Sequence, residues 1–461
     1  MKTVLRLFTA LALVAVLFIA GLIWIPVSRT PASEALPADW APEPGAGEYA
    51  MRAGDCMACH TAEGGADFAG GRAIHSPLGT IYTANITPDP ETGIGGWTLD
   101  QFRAALVDGL SADGSHLYPA MPYENYRLLT EGDIRALHTY FMEEVQPVRI
   151  DVPEPDLPFP FNQRWGIRAL NWLILTHDSG FNGIMGDKVL DRGQYLVEGP
   201  GHCAACHSPR TAYMGQDGIT ADQPAFLTGG YIDGQQAPAL RGPGSVIRDW
   251  PTPELTAFLA TGRNFAATAN GEMGLVVEHS LQYLTDADII AMARFLKALD
   301  GQPHDPPEMT VPRGPLARPA AQADARGEAT ARMLTESSPD MPLGARVFMD
   351  NCAQCHFVTG RGSPEIFPAL QDNSLVLSDE ITPLVSIILW GATVEGTAQR
   401  PMPLVMQGYE ARLSDDDIAA LTSFLREAWG NDAAPVSPEA VRDIRDDGPP
   451  EARQDDGALM D

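Results

Sequence analysis

Cys203-Ala204-Ala205-Cys206-His207 has two further copies in the chain, Cys56-Met57-Ala58-Cys59-His60 and Cys352-Ala353-Gln354-Cys355-His356. All six cysteines of the 461 residues lie in these three pentapeptides. A histidine directly after C-x-x-C is the pattern of covalent c-type haem attachment. Two cysteines three positions apart at the end of a short helix put both sulfurs on one side. There they form thioethers to the two haem vinyl groups, and the next histidine lies under the iron as its proximal ligand. The rival readings explain less. Zinc held by C-x-x-C pairs has no need of a histidine after each second cysteine. A thioredoxin-like site needs one pair in a βαβ setting, and disulfides leave the histidines idle. The sequence thus predicts three covalently bound haem c groups, on Cys56 and Cys59, Cys203 and Cys206, and Cys352 and Cys355, with His60, His207 and His356 as iron ligands.

The motifs are almost evenly spaced, 147 positions from Cys56 to Cys203 and 149 from Cys203 to Cys352. Length alone suggests about three domains, so one haem per domain is the economical division. Three stretches repeat downstream of the motifs: Leu129-Thr130-Glu131-Gly132-Asp133-Ile134, Leu284-Thr285-Asp286-Ala287-Asp288-Ile289 and Leu413-Ser414-Asp415-Asp416-Asp417-Ile418. Each sets a Thr or Ser N-cap three residues before an Asp, a variant of the capping box. Apolar residues at helical spacing follow. A carboxyl-terminal helix crossing an amino-terminal one, with haem in the crevice, is the cytochrome c plan. The expected fold is all-α, with three tandem cytochrome c domains and an amino-terminal transmembrane or signal helix. The expected boundaries are 45–148, 188–300 and 340–432, with an aromatic connector at 149–187 and a Pro/Ala-rich linker at 301–339 that has room for one helix. Residues 433–461, acidic and poor in apolar side chains, read as a disordered tail.

Residues 1–30 form a membrane anchor or signal. Lys2 and Arg6 precede an uncharged, almost wholly apolar run from Leu7 to Ile25, 19 residues, close to the length that spans a bilayer. The run is followed by Pro26-Val27-Ser28-Arg29 and not by a small-x-small cleavage site. That favours an uncleaved anchor with its amino end in the cytoplasm and the remainder exported to the periplasmic side, residues 31–44 serving as a tether. The net charge of −29 argues against a nucleic-acid partner.

A low-spin carrier needs a second axial ligand on each iron, and methionine raises the potential relative to a second histidine. Met121 precedes Leu129 by eight residues, and Met273 and Met402 precede Leu284 and Leu413 by eleven each. This shared position before the closing helix predicts Met121, Met273 and Met402 as sixth ligands. Their rivals are His116 in the first domain, His279 in the second and Met406, seven residues before Leu413, in the third. The Pro368 carbonyl, twelve residues past His356, is a candidate acceptor for that histidine's other ring nitrogen.

Further stretches carry a family resemblance: Gly70-Gly71-Arg72-Ala73-Ile74, Ser76–Tyr82, Asn85–Gly93, Leu117-Tyr118-Pro119-Ala120-Met121-Pro122-Tyr123, Leu157–Asn162, Gly201–Arg210, Asp350-Asn351-Cys352 and Trp429-Gly430-Asn431. Over roughly 45–432 the chain resembles the triheme cytochrome c subunit of membrane-bound bacterial dehydrogenases acting on alcohols, gluconate, sorbitol or aldehydes. The resemblance implies the same three methionines as axial ligands. It also implies a catalytic dehydrogenase subunit as electron donor, and membrane ubiquinone, another cytochrome or an oxidase as acceptor. The middle domain departs from it, with Gly229–Gly242 in place of a second Asn-Ile-Thr-Pro turn. No Gly-rich dinucleotide loop, Ser-His-Asp set or non-haem metal cluster is apparent in the sequence, so an electron-transfer subunit is the leading reading. A multihaem enzyme such as a peroxidase, with an open haem in the middle domain, is the alternative. A haem-based sensor is a third class, and no output domain follows Trp429. In the connector, Arg164–Leu175 reads as a helix that is either a strut between domains or a surface for the membrane or a partner subunit.

Overall fold

The structure, a computed structural model, describes residues 2–37, 39–76, 78–232, 235–302, 310–314, 325–337 and 340–449. It divides into two compact units, residues 1–183 with 197–225 and residues 184–196 with 226–461.

In the first unit, α1 (Lys2–Trp24) is the apolar amino-terminal helix. Among the described residues it is the one helix long and apolar enough to cross a membrane, and it is exposed along most of its length. Helix α2 (Ala46–Ala53) leads into the first attachment motif. Helix α3 (Leu99–Asp108) starts at Thr98, whose hydroxyl accepts from the Gln101 amide in a complete capping box. Helix α4 (Glu131–Glu143) starts at Thr130, which caps the Asp133 amide. Helix α5 (Arg164–Ile174) fills the connector. Helix α6 (Lys188–Glu198) runs across the division between the units.

The second unit holds α7 (Thr252–Thr261), α8 (Gly271–His279) and α9 (Asp286–Ala298), the last capped by Thr285. Then come α10 (Glu328–Glu336), α11 (Leu343–Asn351), α12 (Thr382–Trp390), α13 (Asp415–Glu427, with a full Ser414–Asp417 capping box) and α14 (Pro438–Asp446). Phe348, Phe424 and Trp429 pack ring on ring, with centroids 5.2–5.8 Å apart. Trp429 sits fully buried in a left-handed turn, its Nε1 donating to Val358 O at 2.9 Å. Asn431 then ties the helix end to the loop, donating to Leu370 O and Leu425 O and accepting from the Asp372 amide. These contacts account for the Trp-Gly-Asn motif.

One helix crossing occurs three times. A Cβ placed on Gly47 of α2 would lie 2.4 Å from Ala136 O and 2.5 Å from the Tyr140 Cβ of α4. On Gly193 of α6 it would meet Ala291 O at 2.0 Å and the Phe295 Cβ of α9 at 2.8 Å. On Gly344 of α11 it would meet Ala420 O at 2.1 Å and the Phe424 Cβ of α13 at 2.7 Å. In every case the alanine lies six residues, and the aromatic ten, past the Thr or Ser cap. Only glycine lets the two backbones approach this closely.

The molecule differs from the all-α expectation in three antiparallel ribbons, β1 (Ala73–Ser76) with β2 (Gly79–Tyr82), β3 (Gly230–Ile232) with β4 (Gln235–Ala237), and β5 (Gly391–Val394) with β6 (Leu404–Gln407). Each is too short for alternation to stand out in sequence. The tail expectation for 433–461 is also corrected. Ser437 caps α14, Val441 and Ile444 are buried in the core around Trp429, and Arg445 and Arg442 pair with Asp415. Residues 450–461 lie outside the described residues, as do most of the prolines of the 301–339 linker. The helix allowed for in that linker is α10, whose Leu334 is fully buried in the same core.

Within the first unit, Arg103 of α3 grips the fully buried Glu131 carboxylate with two hydrogen bonds of 2.9 and 2.6 Å, and Arg135 adds a third. Burial alone would push this carboxyl up, but the arginine hydrogen bonds outweigh it and hold the group below its ordinary range. The pair therefore stabilises the fold above the unfolded-state glutamate pKa of ~4.3 and loses that contribution as pH falls through the lower folded value. Replacing Arg103 by Met leaves the carboxylate with Arg135 alone, with an expected loss of ~1–3 kcal/mol. Urea melts at pH 7 measure the loss, and melts at falling pH should show the variant's deficit shrinking as Glu131 protonates.

Candidate haem sites

Each motif is built on a turn of helix, at Cys56–His60, Ala204–His207 and Ala353–His356. None of the six cysteines is in a disulfide. Burial pushes the first thiol of each motif, Cys56, Cys203 and Cys352, up to about 12. Among the described residues no group of three or more His, Cys, Asp or Glu side chains is arranged to hold a metal ion.

Two of the histidines are oriented by a backbone carbonyl. His60 Nδ1 lies 2.7 Å from Ala84 O, and His356 Nδ1 lies 3.0 Å from Pro368 O, as anticipated for the latter. With that nitrogen donating, Nε2 is left free as the ligating atom. Burial lowers the pKa of both rings, which favours the neutral form that binds iron. Glycines bring the carbonyls into place. Gly70 N donates to His60 O and Gly71 N to Thr83 O, and a Cβ on Gly70 would lie 2.5 Å from the Ala84 carbonyl carbon. In the second unit Gly362 N donates to His356 O, and a Cβ there would strike Phe367 O at 2.1 Å. The Gly70-Gly71 motif is thus a device for passing one strand against the loop that holds the proximal histidine. Ala84 escaped sequence reasoning because a carbonyl acceptor has no residue-type signature. A pair of unbridged cysteines on a turn of helix, followed by a carbonyl-anchored imidazole at His60 and His356, suits a covalently attached haem, so these residues fit that group.

The predicted sixth ligands fall in three different settings. Met121 is half-buried in the turn between Tyr118 and the short helix Tyr123–Tyr126. Its rival His116 is buried with Nδ1 3.3 Å from the Asn171 amide nitrogen. Met273 is half-buried on α8, inside a helix and not in the loop expected for it. His279 ends the same helix and lies 3.7 Å from Glu278. Met402 is 75% exposed and precedes β6. Met406, on β6, is half-buried and packs against the core cluster that includes Phe348 and Trp429. The β6 alternation turns Leu404 and Met406 inward and Val405 and Gln407 outward.

Within the first unit, the stretch after Met121 also reaches the central motif. Tyr126 Oη donates to Gly54 O at 2.7 Å, two residues before Cys56, and its ring packs edge-on against His202, the residue before Cys203. Asn125 donates to Glu198 O and accepts from Gln216. Tyr123 donates to Asn171 on α5. The Met-Pro-Tyr-Glu-Asn-Tyr run therefore positions a methionine and joins two attachment segments, a second task its composition did not reveal.

A family profile described as cytochrome c matches residues 342–429. The cytochrome c subunit of the alcohol dehydrogenase (quinone) of Gluconobacter oxydans (strain 621H) is 38% identical over 411 residues, 88% of this chain and 82% of that protein. The chain belongs to the family of dehydrogenase cytochrome c subunits. The gluconate 2-dehydrogenase cytochrome c subunit of Pantoea cypripedii is also 38% identical, over 88% of this chain and 90% of its own. The fructose dehydrogenase cytochrome subunit of Gluconobacter japonicus is 36% identical over 95% and 90%. A dehydrogenase cytochrome c subunit carries covalent haem c and serves electron transfer, and the histidine geometry at His60 and His356 is suited to both.

Proposed function

We propose that this dehydrogenase cytochrome c subunit carries three haem c groups in three cytochrome c domains, near 45–148, 188–300 and 340–432. In this reading it passes electrons from a catalytic dehydrogenase acting on an alcohol, sugar, sugar acid or aldehyde to membrane ubiquinone, another cytochrome or an oxidase. It does so at the periplasmic side of the inner membrane. The observation that carries this reading is the threefold glycine-on-alanine crossing, each copy lying eight to ten residues before the first cysteine of a C-x-x-C-H motif. Haem supplies reversible one-electron chemistry at iron, tuned by its ligands and surroundings. The chain supplies thioether attachment through Cys56, Cys59, Cys203, Cys206, Cys352 and Cys355, and proximal ligation through His60, His207 and His356. Met121 and Met273 serve as sixth ligands in the first two domains. In the third, the inward-facing Met406 of β6 is preferred to Met402, which precedes the strand.

Purification in mild detergent tests the reading. A catalytic subunit should copurify, and its substrate should reduce the haem absorption only while both chains are present. Reduction by substrate of the isolated chain would overturn it. So would peroxide turnover, with exogenous ligand binding at one haem, which is the signature of the multihaem-enzyme alternative.

A further inference from the structure

We infer that α1 is retained as a built-in part of the first unit, and that α5 lies on the bilayer surface where α1 ends, with Trp172 and Leu173 among the lipid headgroups. The inference deepens the membrane assignment above and rests on reading α1 as a spanning helix. A helix end leaves its last four carbonyls without intrahelical partners. Here Arg168 of α5 reaches carbonyls on both sides of that end. Its Nη1 donates to Gly21 O, Leu22 O (3.2 Å) and Ile25 O, and its Nη2 donates to Pro26 O. A buried guanidinium at this end also faces the negative pole of the helix dipole. Phe18 and Trp172 meet edge to face at 6.2 Å, and Leu22 is buried, unlike the rest of α1.

The segment after α1 is fastened as well. Both the Thr30 amide and hydroxyl donate to the Asp108 carboxylate, which also receives Arg127 at 3.2 Å. Arg29 donates to Ala112 O. Gly180, at φ +88, leaves room for Ser33, which a Cβ there would strike at 2.6 Å. A cleaved leader would leave Arg168, buried and charged, without the carbonyls it caps.

Helix α5 is two-faced. Ile167, Arg168, Asn171 and Ile174 point inward, while Trp172 and Leu173 are 59% and 52% exposed. Trp24, where α1 ends, is 75% exposed. Tryptophan and leucine on the outer face of a short helix, next to the point where an apolar helix emerges, fit the headgroup layer, where an indole buries its ring and keeps its N–H in a polar zone.

The test uses the full haem-loaded chain in proteoliposomes containing a phosphatidylglycerol with a diazirine near its glycerol. After illumination, adducts are mapped by mass spectrometry. Adducts are expected on α1 and on residues 164–175, and Trp172→Ala/Leu173→Ala should lose the second set while keeping the first and its haem absorption. The intact mass should include residues 2–24, and Arg168→Gln should speed proteolysis between residues 26 and 45. A mature chain starting beyond Pro26, or adducts confined to α1, overturns the inference. Adducts on α5 that disappear when a catalytic subunit is bound assign that face to the partner and also overturn it. Release of the chain from membranes by alkaline carbonate would instead defeat the spanning reading itself.

Discussion

Met406→Leu should convert one haem of the third domain from a low-spin methionine-ligated species to one with an open or substituted sixth position, while Met402→Leu should leave all three spectra intact. The distinction rests on side-chain direction. Met406 alternates inward on β6 with Leu404, whereas Met402 precedes the strand. Axial ligands and their surroundings span ~0.8 V of haem potential, so loss of methionine should lower one midpoint by ~0.1–0.2 V. Redox titration with visible and near-infrared absorption reads both effects. A shifted midpoint in Met402→Leu, with Met406→Leu unchanged, restores the first assignment.

The parts legible in sequence were those with a residue-type signature. Cys-x-x-Cys-His announces attachment, Thr130, Thr285 and Ser414 announce helix starts, and all three caps are made as read. Features that depend on where the backbone passes were not legible. The Ala84 carbonyl that orients His60, the ribbon that turns Met406 inward and the Arg168 clamp on α1 each use generic residues whose role appears only when distant segments meet. The tail was misjudged for a related reason. Its composition is acidic, but two apolar residues three apart, Val441 and Ile444, are enough to seat a helix on an existing core. Pro368 lies between these classes, because its fixed distance from His356 made its carbonyl a reasonable candidate before any contact was visible.

Valine at Gly47, Gly193 or Gly344 should each remove one haem and spare the other two. At all three positions the first new carbon would lie 2.0–2.4 Å from a backbone carbonyl oxygen on the facing helix. A flexible side chain moves aside for ~1–3 kcal/mol. A carbonyl held in a helix ladder moves only if the helices part, so the cost should reach or exceed the top of that range, and valine adds the low helix propensity of a branched side chain. Small domains have only ~5–15 kcal/mol of stability, and each crossing precedes an attachment motif by eight to ten residues. Gly132→Ala is the control, because a methyl there meets nothing closer than the Trp40 ring at 3.5 Å. Haem per chain, measured by absorption after alkaline denaturation, should fall from three to two in each valine variant and stay at three in the control. Tryptic mapping of the haem peptides should show the loss at Cys56–His60, Cys203–His207 or Cys352–His356 respectively. If one substitution empties two motifs together, those two sites share a folding unit and the division into three independent domains fails, whereas three separate losses would make each crossing the folding condition for its own haem.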